Sequence, residues 1–183
     1  MKTHCSRAEA FGITCMLVLC ALAASGAESR HSLSAGGRYH TENKVFTDMP
    51  FSNGDISYPA AYTFSDGHFA LRLGVDFAPS ASGSRDAPNT NRTDYVITPQ
   101  ASIILKDRIY RLGTGVLTSY VRDREGEGDW IDPYWQVMLG LDFPLGDFVS
   151  LELNAHYVIE KWAKLSHFRI KELEYGLWLS YHF

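Results

Sequence analysis

The sequence predicts an all-β chain: an eight-stranded antiparallel up-and-down transmembrane β-barrel behind an N-terminal signal peptide. Three observations carry this. Apolar and polar residues alternate with period two over long stretches, short and long connections follow one another in strict turn, and aromatic residues gather at both ends of the apolar faces.

The N-terminus is set aside first. Lys2 and Arg7 make a basic start, Ile13 to Ala24 is an apolar run, and Ser25-Gly26-Ala27 supplies small residues for cleavage. Charge, short apolar core and small-residue exit are the parts of a secretory signal peptide, and the run is short for a spanning helix, which takes about 20 residues. The expected division is therefore 1–27 as signal peptide and 28–183 as the barrel domain. Cys5, Cys15 and Cys20 all leave with the signal, so the exported part carries no thiol. Loss of Lys2, Arg7 and Glu9 leaves 15 basic against 20 acidic residues, a net charge of −5. That balance argues against nucleic acid as a partner.

In Ala70 to Ala78, Leu71, Leu73, Val75 and Phe77 share one face and Arg72, Gly74 and Asp76 the other. The rhythm recurs over 133–143, with Trp135, Val137, Leu139, Leu141 and Phe143 on one face. It recurs over 149–159, with Val149, Leu151, Leu153, Ala155 and Tyr157. Seven strands are expected, at about 55–64, 69–78, 94–105, 110–121, 133–143, 149–159 and 171–183. Tight connections at 65–68, 106–109 and 144–148 alternate with long polar ones at 79–93, 122–132 and 160–170. Both termini of a bacterial single-chain barrel lie on one side, so the strand number is even. An eighth strand is therefore expected at 31–45, followed by an outside loop at 46–54, although its alternation is poor.

The apolar face is expected to face lipid. Tyr58, Tyr95, Tyr120, Trp135 and Tyr157 sit at the loop ends of the strands, and Phe64, Tyr110, Phe143, Tyr181 and Phe183 at the turn ends. Aliphatic residues lie between them. Two aromatic girdles around an aliphatic band match the two interfaces of a bilayer. A soluble, lipocalin-like barrel keeps one cue, the G-x-W of Gly128-Asp129-Trp130, but that motif belongs near a first strand.

The last strand carries Leu173, Tyr175, Leu177, Leu179, Tyr181 and Phe183 at alternate positions. This resembles the terminal signature of outer-membrane barrels, and the size and plan are similar to the OmpA transmembrane domain and OmpX. The resemblance implies that the final strand, through Tyr181 and Phe183, is read by the barrel-assembly machinery. It also implies a location in the bacterial outer membrane, among its lipids and lipopolysaccharide.

With apolar faces outward, the lumen receives Arg72, Asp76, Gln100, Arg111, Gln136, Asp142, Glu152, Asn154, His156, Glu172, Glu174, Trp178 and His182. Eight strands leave room for side chains rather than a wide channel, and charges in that space must be paired. The expected network comprises Arg72, Asp76, Arg111, Asp142, Glu152 and Glu174. Arg111 is expected to meet Asp142, and Arg38 to meet Glu174. Catalytic and metal sites are not expected. Glu152 and His156 share a face, but Ser150 lies at the opposite end from His156, and the histidines stand singly. The acidic stretch 123–129 lacks calcium-loop spacing. The expectation is a monomeric, non-enzymatic barrel without cofactor, in a structural, adhesive or surface-interaction role. The alternatives are a narrow pore and a lipid A-modifying enzyme.

Overall fold

Two-residue turns at 67–68 and 108–109 and a four-residue turn at 145–148 fold neighbouring strands back on one another, and the longer connections do the same at the other end. The computed structural model describes residues 29–41, 49–81, 93–124, 126–160, 162 and 168–183. The proposed signal peptide lies outside these residues. Ten strands follow in order: β1 (Ser29–Tyr39), β2 (Ile56–Asp66), β3 (Phe69–Ala78), β4 (Thr93–Asp107), β5 (Tyr110–Leu117), β6 (Tyr120–Asp123), β7 (Gly128–Trp130), β8 (Tyr134–Pro144), β9 (Val149–Ile159) and β10 (Glu174–His182). Gly67 takes the left-handed φ of 56° that the β2–β3 turn requires.

These ten segments make eight staves. β5 and β6 meet β4 in one continuous register, with Gln100 opposite Leu117 and Ile97 opposite Tyr120. β7 leads into β8 along the next stave. The breaks at 118–119 and 131–133 are laced together by Thr118 Oγ1 donating to the Ile131 carbonyl (2.7 Å) and Ile131 N to the Ser119 carbonyl (2.8 Å). Every stave is antiparallel to its neighbours, and pairing of β1 with β10 closes the ring.

The register fixes the shape. From Ser29 the cross-strand partners run through Asp66, Phe69, Leu105, Leu112, Leu139, Ala155 and Tyr175 and return to β1 at Tyr39, ten positions further on. Such an offset tilts the strands by about 35–45° to the barrel axis. It also lets side chains distant in sequence meet at one depth inside.

Polarity is reversed relative to a water-soluble barrel. Leu33, Leu73, Leu112, Leu139, Leu177 and Leu179 are exposed on the outer wall, while Arg38, Arg72, Arg111, Glu152 and Glu174 are buried inside. The soluble-barrel alternative, which would turn its apolar face inward, does not describe this chain.

Four expectations about the elements are corrected. The first strand spans 29–39 rather than 31–45: alternation stops at Tyr39, because His40 and Thr41 are buried in succession. The expected strand 110–121 is interrupted at 118–119. The expected loop 122–132 is mostly a hairpin of β6 with β7, closed by Asp123 N donating to the Glu127 carbonyl at 2.9 Å. The last strand starts at Glu174 rather than 171, since Ile170–Glu172 form a 3₁₀ turn.

The first outside connection also departs from expectation. Met49 and Phe51 are buried in the barrel mouth with Val96, Leu117, Tyr134 and Val158. The upper end is thus capped from within by apolar side chains.

Two adjacent glycines test the closing seam. A methyl on Gly36 would run into the Leu177 carbonyl and the Trp178 Cα, while one on Gly37 meets nothing within 4 Å. Gly36→Ala is expected to lower stability by roughly 1–3 kcal/mol and Gly37→Ala to leave it nearly unchanged. Urea unfolding of the refolded barrel measures both.

Candidate functional site

Period two sends alternate residues of every strand into the lumen, so one tilted ring of chemistry is drawn from many strands. The charged residues there settle into two layers.

In the lower layer Glu152 of β9 lies between two arginines. Its Oε2 accepts from Arg72 Nη2 of β3 at 2.7 Å, and its Oε1 pairs with Arg111 Nη1 of β5 at 2.8 Å. Arg111 also pairs with Asp142 of β8, and Ser180 donates to Glu152. Arg72 Nε donates to Thr63 Oγ1 at 3.0 Å, and its guanidinium lies 4.9 Å from the centre of the Trp178 ring. Two cations and two anions balance, as buried charges require.

The upper layer is centred on Arg38 of β1. Its Nε and Nη2 both reach Glu174 Oε2 of β10, at 2.8 and 2.5 Å, and Nη1 reaches Asp76 Oδ2 of β3 at 3.2 Å. Gln100 Nε2 donates to the other Asp76 oxygen at 2.5 Å, Gln136 Nε2 donates to Gln100 Oε1 at 2.8 Å, and His156 Nδ1 lies 3.1 Å from Gln136 Oε1. The six network residues named from sequence all lie inside, divided between the layers. Arg72, Arg111, Asp142 and Glu152 form the lower one, and Asp76 and Glu174 join Arg38 in the upper.

One arrangement was not foreseen. His40 Nδ1 lies 3.0 Å from Glu174 Oε1 and its Nε2 lies 2.8 Å from Ser57 Oγ. A hydroxyl, an imidazole and a carboxylate in line are the parts of a nucleophile with its base and orienting acid. The surroundings oppose that use. Ser57 is 0% exposed, Phe51 stacks on the His40 ring with centroids 3.7 Å apart, and the second Glu174 oxygen is held by Arg38. Among the described residues a carbonyl substrate has no approach to the hydroxyl, and the trio joins the end of β1 to β2 and β10. Sequence reasoning missed it because His40 fell in the poorly alternating segment. The usable signal is the hairpin register, which sets Arg38 opposite Ser57. Ser150, weighed against His156, instead meets His182 Nε2 at 2.8 Å.

On the outer wall Tyr58, Tyr110, Tyr181 and Phe183 are exposed, and Tyr95, Tyr120, Trp135 and Phe143 are half-buried. Tyr95 and Tyr120 lie 6.3 Å apart, centre to centre, and Tyr120 and Trp130 5.3 Å. Tyr157 is a correction. It stands on the outward register but is only 5% exposed, because Phe168 folds down over it at 4.7 Å and Glu172 accepts from its hydroxyl at 3.3 Å. Trp162 packs against Trp135 in the same way, with centroids 5.7 Å apart. Trp162 and Phe168 thus lie against the outer wall.

No family model matches the chain, and no curated protein does. Among solved structures it is similar to Neisserial surface protein A, at 13% identity over 87% of this chain and 100% of that one, with a TM-score of 0.48. It is also similar to Ail, the attachment invasion locus protein of Yersinia pestis, at 14% identity over 85% of this chain and 99% of that one, with a TM-score of 0.41.

Glu152 faces two arginines and is 0% exposed, while Asp142 is 14% exposed. Glu152→Gln is expected to destabilise the barrel by about 3–5 kcal/mol, since it strands the buried Arg72 and leaves Arg111 with Asp142 alone. Asp142→Asn is expected to cost distinctly less. Unfolding of both variants in lipid vesicles gives the comparison.

Proposed function

We propose that this chain is a β-barrel of the bacterial outer membrane, exported through a cleaved signal peptide, with a structural or surface-interaction role. The observation that carries the reading is the reversed polarity. An aliphatic belt between aromatic ends suits lipid, and a lumen crossed by two ion-paired layers beneath an apolar cap suits a closed scaffold.

The outer-wall aromatics then serve as interface anchors. Tyr181 and Phe183, which pack together with centroids 6.3 Å apart on the final strand, serve as the segment read by the assembly machinery. Exposed Phe168 and Ile170, interleaved with Arg169 and Lys171, meet lipopolysaccharide: acyl chains on the apolar groups and phosphates on the cations. The outside connections of a rigid barrel are where partners are contacted. The Ser57–His40–Glu174 trio is assigned to anchoring the first connection, not to hydrolysis.

Planar-bilayer recording on the purified, refolded protein tests the closed scaffold. The expected trace is silent. Reproducible unitary steps would favour a narrow pore and overturn the reading. Mass spectra of lipid A from cells with and without the protein are expected to coincide, and a lost or added acyl chain would make it an enzyme.

A further inference from the structure

Between the two charged layers lies a waist whose polar groups do not pair with one another. Trp178 Nε1, His156 Nε2 and both side-chain atoms of Asn154 have no hydrogen-bond partner among the described residues, and all three residues are more than nine-tenths buried. Burying such groups without a partner is costly. Asn154 stands in register between Gly140 and Gly176, so two side-chain-free positions flank it. A methyl on Gly140 would strike Asn154 Oδ1. One on Gly176 would come within 2.7 Å of Trp178 Nε1 and 3.6 Å of His156 Nε2. The indole and the imidazole therefore converge over the same glycine.

Their hydrogen-bonding senses can be worked out from Asp76. A carboxylate only accepts, so Gln100 presents its Nε2 to Asp76 and its Oε1 to Gln136. Gln136 must then donate to Gln100, which turns its own Oε1 toward His156. His156 Nδ1 is consequently the donor. No carboxylate bonds to this ring: Arg38 and Gln100 hold Asp76, Arg38 and His40 hold Glu174, and Arg72 and Arg111 hold Glu152, so a charge on the buried imidazole would be unpaired. The imidazole is neutral, and its Nε2 is a lone-pair acceptor. Trp178 Nε1–H is only a donor.

We infer that Trp178 and His156 hold an ordered water between them over Gly176, with the Asn154 amide extending the site. Water matches the pair: its oxygen accepts from the indole and one of its hydrogens is given to Nε2. Buried waters typically make about three hydrogen bonds to otherwise unsatisfied groups. The molecule joins the glutamine-linked upper layer to Trp178, on which Arg72 of the lower layer stacks. The closed lumen is thus wet at its waist without a path through it.

The test is solution NMR on the ¹⁵N-labelled full barrel in lipid nanodiscs, with the Trp178 indole signal assigned by its loss in Trp178→Phe. The expected result is a cross-peak between that indole proton and water, with the sign of a long-lived bound molecule. His156→Phe, checked for the folded gel mobility of the parent, is expected to weaken the cross-peak several-fold. An observed indole proton without a water cross-peak would overturn the site. So would a cross-peak unchanged in folded His156→Phe. An indole proton that exchanges into D₂O too fast to observe would mean an open waist, and would overturn it as well.

Discussion

A charge placed inside a narrow barrel has to find its opposite inside the same barrel. Glu152 shows the constraint most sharply. It is fully buried, held by Arg72 on one side and Arg111 on the other, and reached by Ser180 as well. With lipid expected outside, the lumenal face of each strand is the only place for its polar residues. Once there the charged ones cannot be left single, because the penalty for an unpaired buried charge exceeds most individual packing terms. The stave order, the offset of the register and the positions of the small residues can all be read as ways of meeting that demand.

The ten-position offset matters because it sets depths. Arg72 lies on β3 and Glu152 on β9, four staves apart around the ring, and they meet only because the tilt brings them level across the lumen. Gly36 lets β1 approach the β10 backbone at Leu177 and Trp178, Gly176 leaves room for the Trp178 indole, and Trp178 in turn supports the Arg72 guanidinium. Arg38 draws β1, β3 and β10 together through Asp76 and Glu174, so the closing seam is also the centre of the upper layer. Above it the apolar cap covers this layer at the outer end.

Much of this was legible in the sequence, for identifiable reasons. Strands with bulky outward residues, such as β3 and β9, announce themselves by alternation. β1 does not, because its outward positions include Ala35 and Gly37, and parity of strand number had to supply it. Its limits were misplaced for the same reason. Arg111 could be matched with Asp142 and Arg38 with Glu174 because the partners sit on neighbouring staves at similar depth. Arg72 with Glu152 could not, since opposite staves are related only through the full register. The inward return of Met49 and Phe51 was illegible too: an apolar residue in an outside connection reads equally well as an anchor in the interface. His40 stayed hidden with it, as its role appears only when Phe51 stacks on the ring.

The central claim is that paired lumenal charges hold the barrel shut, and the Arg38–Glu174 pair across the β1–β10 seam is where it can be tested most directly. The measurement is a double-mutant cycle of unfolding free energies in lipid vesicles, comparing Arg38→Glu, Glu174→Arg and the two together. Each single reversal is predicted to destabilise by at least about 3 kcal/mol, and the exchanged pair to recover a large part of that loss. Single variants as stable as the parent, or an exchanged pair no better than the sum of its parts, would contradict it.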